Sequence, residues 1–170
     1  MRNLEVKAKV TNLEATLETA TRLSGSCFSD VQQIDTYFFV PEGRLKLREY
    51  ESTAELIFYN RPDSKQPRYS DYLIAEIEQP TAVKEILTRA LKVRTVVDKR
   101  RRVYLVGNTR IHVDEVESLG AFLEFEVVLE DSTGQEDPKA TVEWLISEFG
   151  IEETDMVGGS YLDLVEQRPQ

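Results

Sequence analysis

Basic and apolar residues alternate along one short stretch of the sequence. Arg44, Lys46 and Arg48 are separated by Leu45 and Leu47. Successive side chains of a β-strand point to opposite faces of the sheet, so a strand here places the three cations on one face. A row of this kind is suited to binding an anion with several charges, such as a polyphosphate.

The same alternation recurs elsewhere, and the charged face carries both signs. Its further cations are Lys7, Lys9, Arg61, Lys99, Arg101 and Arg110. Its acidic residues are Glu5, Asp114, Glu124 and Glu126. Carboxylates would repel a polyphosphate, but they are preferred ligands of Mg²⁺ and Mn²⁺, which bridge to phosphate oxygens. A metal bound together with a polyphosphate therefore explains both signs of charge.

The single histidine and the single cysteine suggest no further chemistry. His112 lies on the charged face by alternation, but one histidine cannot build a histidine-rich metal site, so we interpret it as a hydrogen-bonded wall residue. Cys27 can form neither an internal disulfide nor a site with several thiolates, and we interpret it as an inert thiol.

Hydrophobic periodicity predicts seven or eight strands and three amphipathic helices. The strands are expected at 4–10, 31–40, 44–50, 54–61, 69–78, 96–106, 109–116 and 121–130, and the helices at 13–23, 80–92 and 138–149. Asn12 and Gly25 are suited to the two ends of the first helix, and Gly107-Asn108 to a hairpin turn. The 170 residues fit one domain.

The charged face of this sheet has one of two environments, which depend on whether the sheet closes. In an open sheet it faces solvent, where an ion pair contributes about 0–1 kcal/mol and no chemistry is implied. In a closed sheet it lines a lumen, where cations repel one another strongly because the effective dielectric constant is low. Closure therefore predicts a highly charged anionic ligand.

The overall charge restricts the partners. The net charge is −10 and the pI is about 4.7, which argues against a general nucleic-acid binder, because such proteins need an excess of surface Lys and Arg. No apolar stretch approaches the roughly 20 residues of a membrane span, and residues 1–10 carry charges where a signal peptide is apolar. We expect a cytoplasmic protein that binds neither nucleic acid nor membrane.

Several segments resemble the CYTH superfamily, the triphosphate tunnel metalloenzymes. These are Asn3-Leu4-Glu5-Val6-Lys7, Asp35-Thr36-Tyr37-Phe38, Leu45-Lys46-Leu47-Arg48-Glu49, Lys99-Arg100-Arg101 with Tyr104, residues 113–126 and Ser160-Tyr161-Leu162-Asp163-Leu164. The first is similar to the motif Glu-x-Glu-x-Lys, with Asn3 replacing the first Glu. An alternative frame, Glu5 to Lys9, would place Lys7 at the second Glu. The resemblance spans nearly the whole chain.

The resemblance implies an α+β fold, a closed or nearly closed eight-stranded antiparallel barrel with helices outside. Residues 1–170 would form a single tunnel domain. It assigns Mg²⁺ or Mn²⁺ to Glu5, Asp114, Glu124 and Glu126, and the triphosphate to the row of cations named above. Monomers and homodimers are both compatible with this fold.

One strand departs from the family pattern. Where hydrolytic members carry a Lys that works with a Tyr as general base, residues 56–62 offer Tyr59 at that position, or Arg61 displaced from it. Arg cannot act as a base near neutral pH, and a Tyr needs a lowered pKa to do so. Tyr37 matches the other member of the pair, so Tyr37 and Tyr59 are the candidate catalytic residues.

Three functions follow from the resemblance. The first is a class IV adenylyl cyclase-like conversion of ATP to cyclic AMP and pyrophosphate. The second is hydrolysis of inorganic or organic triphosphates, such as tripolyphosphate or thiamine triphosphate. The third is binding of polyphosphate or a nucleotide without catalysis, which the replacement by Asn3 and the position of Tyr59 favour.

Overall fold

The computed structural model describes residues 2–129 and 137–168. Its strands are β1 (Arg2–Val10), β2 (Ser29–Phe38), β3 (Arg44–Glu49), β4 (Ala54–Asn60), β5 (Arg68–Glu76), β6 (Val93–Val106), β7 (Thr109–Val116) and β8 (Gly120–Val128). Its α-helices are α1 (Leu13–Ser24), α2 (Pro80–Leu91), α3 (Pro138–Glu148) and α4 (Tyr161–Glu166). The predicted end of the last strand, Glu130, lies outside the described residues.

The eight strands form a closed antiparallel barrel in the order β1, β5, β4, β3, β2, β6, β7 and β8, with β8 paired to β1. The prediction of a closed α+β barrel is confirmed. Closure also decides between the two alternatives for the charged face, because alternate residues of every strand now point into a common interior.

The outward apolar residues pack beneath helices. Around β1, β7 and β8 they form one cluster with the buried side chains of α1 and α3, which include Ala20, Val142 and Leu145. The Asn12 side chain accepts a hydrogen bond from the Ala15 N–H at the start of α1. Gly25, with φ of +84°, ends the helix in a conformation that glycine adopts without strain. These helices leave the barrel interior free for polar groups.

The short helix α4 was not predicted from the sequence, and it packs at one end of the barrel. Its Tyr161 and Leu162 join a buried cluster with Tyr37, Val97 and Phe122. Tyr37 lies near the end of β2, Val97 near the start of β6 and Phe122 near the start of β8. In an antiparallel barrel these strand ends meet at the same end. The helix therefore covers that end, which we call the rear end, and the opposite end is the mouth.

None of the helices in the described ranges is long and apolar enough to cross a membrane.

Candidate functional site

A cavity of about 410 Å³ runs inside the barrel and is lined by residues from all eight strands and from α4. It brings together most of the side chains predicted from alternation. Those that line it are Glu5, Lys7, Tyr37, Lys46, Arg48, Tyr59, Arg61, Lys99, Arg101, Arg110, Glu124 and Glu126. The barrel thus gathers both signs of charge in one space.

Two predicted cations lie apart from this cavity. Lys9 is exposed near the end of β1, where β8 but not β5 still pairs with this strand. Arg44 is bonded at 2.8 Å to both Asp63 and Asp163 and does not line the cavity. The structure thus places Lys9 and Arg44 outside the cavity lining, since alternation gives the face of a strand but not the height at which a residue meets the cavity. Their role in substrate binding stays a prediction.

Three cations converge on one carboxylate in the cavity wall. Lys46 Nζ and Lys99 Nζ each lie 2.9 Å from Asp35 Oδ2, and Arg48 donates to both carboxylate oxygens at 2.7 and 2.8 Å. Burial alone would raise the pKa of Asp35, but Arg48, Lys46 and Lys99 hold it well below its usual value. One negative charge cannot neutralise three buried positive ones, so this cluster favours a further anion.

Burial also shifts the lysines of this cluster. Burial, and then the neighbouring Arg48, lower the pKa of Lys46 from 10.5 to about 8, although the Asp35 carboxylate opposes the shift. Lys99 has a pKa well below its usual value for the same main reason. Below pH 8, the folded protein thus carries the cost of a buried ammonium at Lys46, and that cost is relieved as the pH rises from 8 to 10.5.

We expect the affinity for tripolyphosphate to fall several-fold as the pH rises through about 8, because the anion binds the protonated form of Lys46. Isothermal titration calorimetry at pH 6.5 to 9.5 would measure the dependence. The Lys46→Met variant, titrated in the same buffers, corrects for protonation of the ligand itself. An equal pH dependence in both proteins would contradict the expectation.

Asp114 occupies a different position from the one predicted for a metal ligand. It is fully buried, does not line the cavity, and accepts two bonds from Arg101 at 2.7 and 2.6 Å and one from Tyr161 Oη at 2.7 Å. Burial would raise its pKa, but Arg101 lowers the pKa to about 2. In these contacts Asp114 orients Arg101 and Tyr161, and its role as a metal ligand stays a prediction.

The side chains that could hold a metal lie on β7 and β8. His112, Glu124 and Glu126 each offer a ligand atom, and these atoms lie within 4.8 Å of one another. His112 Nδ1 is buried without a hydrogen-bond partner among the described residues, 3.7 Å from Glu124 and 3.8 Å from Glu126. A buried nitrogen between two carboxylates fits a divalent cation. In the sequence, alternation with Arg110 and Asp114 had placed His112 on the charged face of its strand.

Glu5 lies beside this cluster, since β1 and β8 pair Glu5 with Glu126. Burial, followed by repulsion from Glu124, raises the pKa of Glu5. Its oxygen Oε1 nonetheless lies 2.9 Å from Arg61 Nε and 3.2 Å from Arg68 Nε. Arg68 is a buried cation that the sequence reasoning missed, because it stands just before the stretch expected to be a strand.

In and next to the barrel cavity, the described cations outnumber the described carboxylates. The cations are Lys7, Lys46, Arg48, Arg61, Arg68, Lys99, Arg101 and Arg110. The carboxylates are Glu5, Asp35, Asp114, Glu124 and Glu126. The excess of positive charge in a space of low dielectric constant favours a polyanion.

The two candidate catalytic tyrosines stand together in the cavity wall, on β2 and β4. Burial, the neighbouring Tyr59 and Asp35 raise the pKa of Tyr37 well above its usual value. Burial also raises the pKa of Tyr59, although Arg61 opposes the shift. Both side chains are therefore neutral phenols near neutral pH, which are hydrogen-bond donors and poor bases.

The mouth of the cavity carries more apolar side chains than its interior, next to the charged Arg48, Glu55 and Arg110. Phe28, Val31 and Val103 line it on one side, and Ile57 and Ile74 on the other. Phe28 is 69% exposed although it borders a charged cavity. A ligand with a charged part and an organic part matches this division.

Residues 1–161 match the CYTH domain family. Among solved structures, the PH1012 protein of Pyrococcus horikoshii OT3 is 26% identical with a TM-score of 0.82, over 95% of this chain and 98% of that chain. A Vibrio parahaemolyticus protein named as an adenylate cyclase candidate is 20% identical with a TM-score of 0.77, over 96% and 97% of the two chains.

A Hippeastrum adenylyl cyclase candidate, described as having a dominant triphosphatase activity, is 16% identical with a TM-score of 0.67, over 99% of this chain and 97% of that chain. The Vibrio and Hippeastrum proteins share the fold. No curated protein matches the sequence. The family match covers the barrel and the first residue of α4, and the chain therefore belongs to the CYTH domain family, whose members process triphosphates.

Proposed function

We propose that this protein binds an organic triphosphate with Mg²⁺ or Mn²⁺ in its tunnel and converts ATP to cyclic AMP and pyrophosphate. The observation that carries the proposal is the excess of buried cations around His112, Glu124 and Glu126 in one cavity. Buried cations without an anion and buried carboxylates without a metal both carry a desolvation cost. A metal bound together with a triphosphate would offset both costs.

The metal would be held by His112, Glu124 and Glu126, with Glu5 adjacent. A divalent ion at this place supplies charge neutralisation for the phosphate oxygens and orients the triphosphate. Lys7 and Arg101, at 3.3 and 3.0 Å from Glu124, hold the carboxylate in its charged form. The pKa of Glu124 accordingly lies well below its usual value despite burial.

The triphosphate would be clamped by Lys46, Arg48 and Lys99 on one wall and by Arg101 on the next strand. These groups are fixed by Asp35 and Asp114 before any ligand arrives. Fixed donors aimed at phosphate oxygens need little reorganisation during a phosphoryl reaction. The buried side chains thus serve positioning and charge stabilisation.

The shape of the cavity favours reaction at the α-phosphate. Its rear end is covered by α4, with Tyr161 only 3% exposed, so a terminal phosphate placed there is shielded from bulk water. The nucleoside would lie at the apolar mouth, which places the ribose hydroxyl beside the α-phosphate. Cyclisation needs that proximity, whereas hydrolysis of the terminal phosphate needs a water molecule at the rear.

Tyr37 and Tyr59 would donate hydrogen bonds to phosphate oxygens in this arrangement. Their raised pKa values argue against the role of general base that the family pattern suggested for this pair. They remain candidate catalytic residues in this different role.

The apolar mouth yields a prediction about substrate choice. Phe28→Ala is expected to raise the KM for ATP about fivefold and to leave the affinity for tripolyphosphate unchanged, because only ATP has an organic part to pack there. Phe39→Ala, on a 53% exposed phenylalanine that does not line the cavity, is the matched control. Equal effects of Phe28→Ala on both ligands would contradict the assignment of the mouth.

Product analysis tests the proposed function. The purified protein is incubated with ATP, tripolyphosphate or thiamine triphosphate plus Mg²⁺ or Mn²⁺, and the products are separated by chromatography. Cyclic AMP with pyrophosphate supports the proposal. Orthophosphate release without cyclic AMP would establish a triphosphatase instead, and tight binding without any product would overturn both enzymatic functions.

Binding without catalysis is the second candidate, and two observations favour it. Asn3 stands where the family motif has a carboxylate, and its buried Oδ1 has no hydrogen-bond partner among the described residues. The tyrosine pair also lacks a group with a pKa suited to a base.

A further inference from the structure

A second cavity of about 560 Å³ opens on the outer surface beside the connection between β4 and β5. We call it the rear pocket, and it is lined by Arg2, Asn60, Arg61, Pro62, Ser64, Pro67, Arg68, Tyr69 and Asp71. Arg61 also lines the tunnel cavity, so this side chain stands between the two spaces.

Two buried guanidinium groups of the rear pocket share the counter-ion Glu5. The side chains of Arg61 and Arg68 are 4% and 1% exposed, and the Nε atoms of both point to the same oxygen of Glu5. Arg61 Nη1 and Arg68 Nη2 are buried without hydrogen-bond partners among the described residues. A buried donor without an acceptor costs about 1–3 kcal/mol, and more when it is charged.

The other charged groups near these arginines do not remove the excess. Asp63 Oδ1 lies 3.8 Å from Arg61 Nη1, but both Asp63 oxygens accept bonds from Arg44 at 2.8 and 2.9 Å. Asp71 lies 3.7 Å from Arg2 in an exposed pair. The remaining Nη1 of Arg68 donates to the carbonyl oxygens of Ser64 and Val157.

We infer that the rear pocket is a second anion site, which binds a free phosphate ion such as pyrophosphate while the triphosphate occupies the tunnel. Guanidinium groups with unpaired N–H donors match phosphate oxygens in geometry and charge. Because Arg61 borders both spaces, the pocket would hold pyrophosphate next to the tunnel, a role that rests on the proposed function. Binding of the anion itself does not depend on catalysis.

Equilibrium dialysis with radiolabelled pyrophosphate tests this inference. The tunnel is first filled with a non-cleavable ATP analogue and Mg²⁺, and bound pyrophosphate is then counted. We expect one pyrophosphate per chain, and at least tenfold weaker binding in Arg68→Gln. Arg100→Gln, on an exposed arginine of the outer face, is the matched control and should bind as the parent protein does.

Absence of the second anion from the parent protein would overturn the inference, as would unchanged binding in Arg68→Gln. If Arg68→Gln does not fold, Arg68→Lys keeps the charge but loses the unpaired guanidinium nitrogen, and it too should bind more weakly. The analogue bound in the same dialysis cell is counted separately. Failure of the analogue to bind would count against the proposed function, whereas loss of pyrophosphate from an Arg68→Gln protein that still binds the analogue concerns the rear pocket.

Discussion

Glu126→Gln is expected to lower metal-dependent turnover about 100-fold, because a metal ion stabilises phosphoryl charge by several kcal/mol. Its effect on stability is expected to be small. The Glu126 side chain pairs with Arg110 at 3.0 Å, and Arg110 is 38% exposed, so water can replace the lost partner. Removing the charge also relieves repulsion with Glu124.

Steady-state kinetics across a Mn²⁺ titration would measure the loss, and thermal unfolding would measure stability. Glu115→Gln is the matched control, because Glu115 is a carboxylate on the outer side of β7 that pairs with Arg102 at 2.7 Å. A folded Glu126→Gln protein with unchanged dependence on Mn²⁺ would show that Glu126 does not belong to the metal site, and an unfolded one would contradict the expected small effect on stability.

Asp35→Asn is expected to destabilise the free protein by about 3–5 kcal/mol, or about 10 °C in Tm, because it leaves buried cations without their partner. Lys46, Arg48 and Lys99 all bond to this carboxylate, and it is completely buried. Tripolyphosphate is expected to raise the Tm of the variant by more than it raises that of the parent protein. The anion supplies the negative charge that the substitution removes.

Differential scanning calorimetry with and without tripolyphosphate would test this expectation. Asp30→Asn is the control from the same strand, since Asp30 is an exposed carboxylate paired with Arg100 at 2.7 Å. If the ligand stabilised Asp35→Asn no more than Asp30→Asn, the cations of the tunnel would not be the groups that bind it.

A low pH should destabilise the same cluster, as Asp35→Asn does, because protonation also removes the negative charge of Asp35. The pKa of Asp35 in the folded protein lies well below its value in the unfolded chain. The stabilisation it provides is therefore complete above the unfolded pKa and is lost as the pH falls towards the folded pKa.

Alternation along single strands predicted much of the site. It placed Lys46, Arg48, Lys99 and Arg101 on the inner face, and the structure lines the cavity with all four. The same rule failed for Arg44, which shares the inner face but pairs with Asp63 and Asp163 beside the rear end. A period of two residues determines which face of the sheet a side chain takes. The height at which the side chain lies along the barrel depends on strand tilt and on closure.

Contacts between strands were not predicted, because alternation along one strand gives a face but not the register with its neighbours. His112 lies opposite Glu124 only because β7 and β8 pair as they do. Asp35 gathers cations from β3 and β6, on either side of β2. The pairing of β2 with β6 joins strands that are distant in the sequence, and the registers of the hairpins depend on the geometry of their turns.

The helix α4 was missed for a different reason. At six residues it is too short for a hydrophobic period to be visible. The available signal was its capping box, in which Ser160 and Asp163 satisfy each other's backbone N–H groups. The burial of Tyr161 against Phe122 and the tunnel cations depends on barrel closure, which only the tertiary structure shows.

Calorimetric titration of a non-cleavable ATP analogue in the presence of Mn²⁺ tests the central claim most directly. We expect one analogue to bind per chain with a Kd of about 10 µM or tighter, and the binding to weaken at least tenfold on removal of Mn²⁺ or in Lys99→Met. Absence of binding, or binding that is indifferent both to Mn²⁺ and to Lys99→Met, would contradict metal-assisted triphosphate binding in the tunnel.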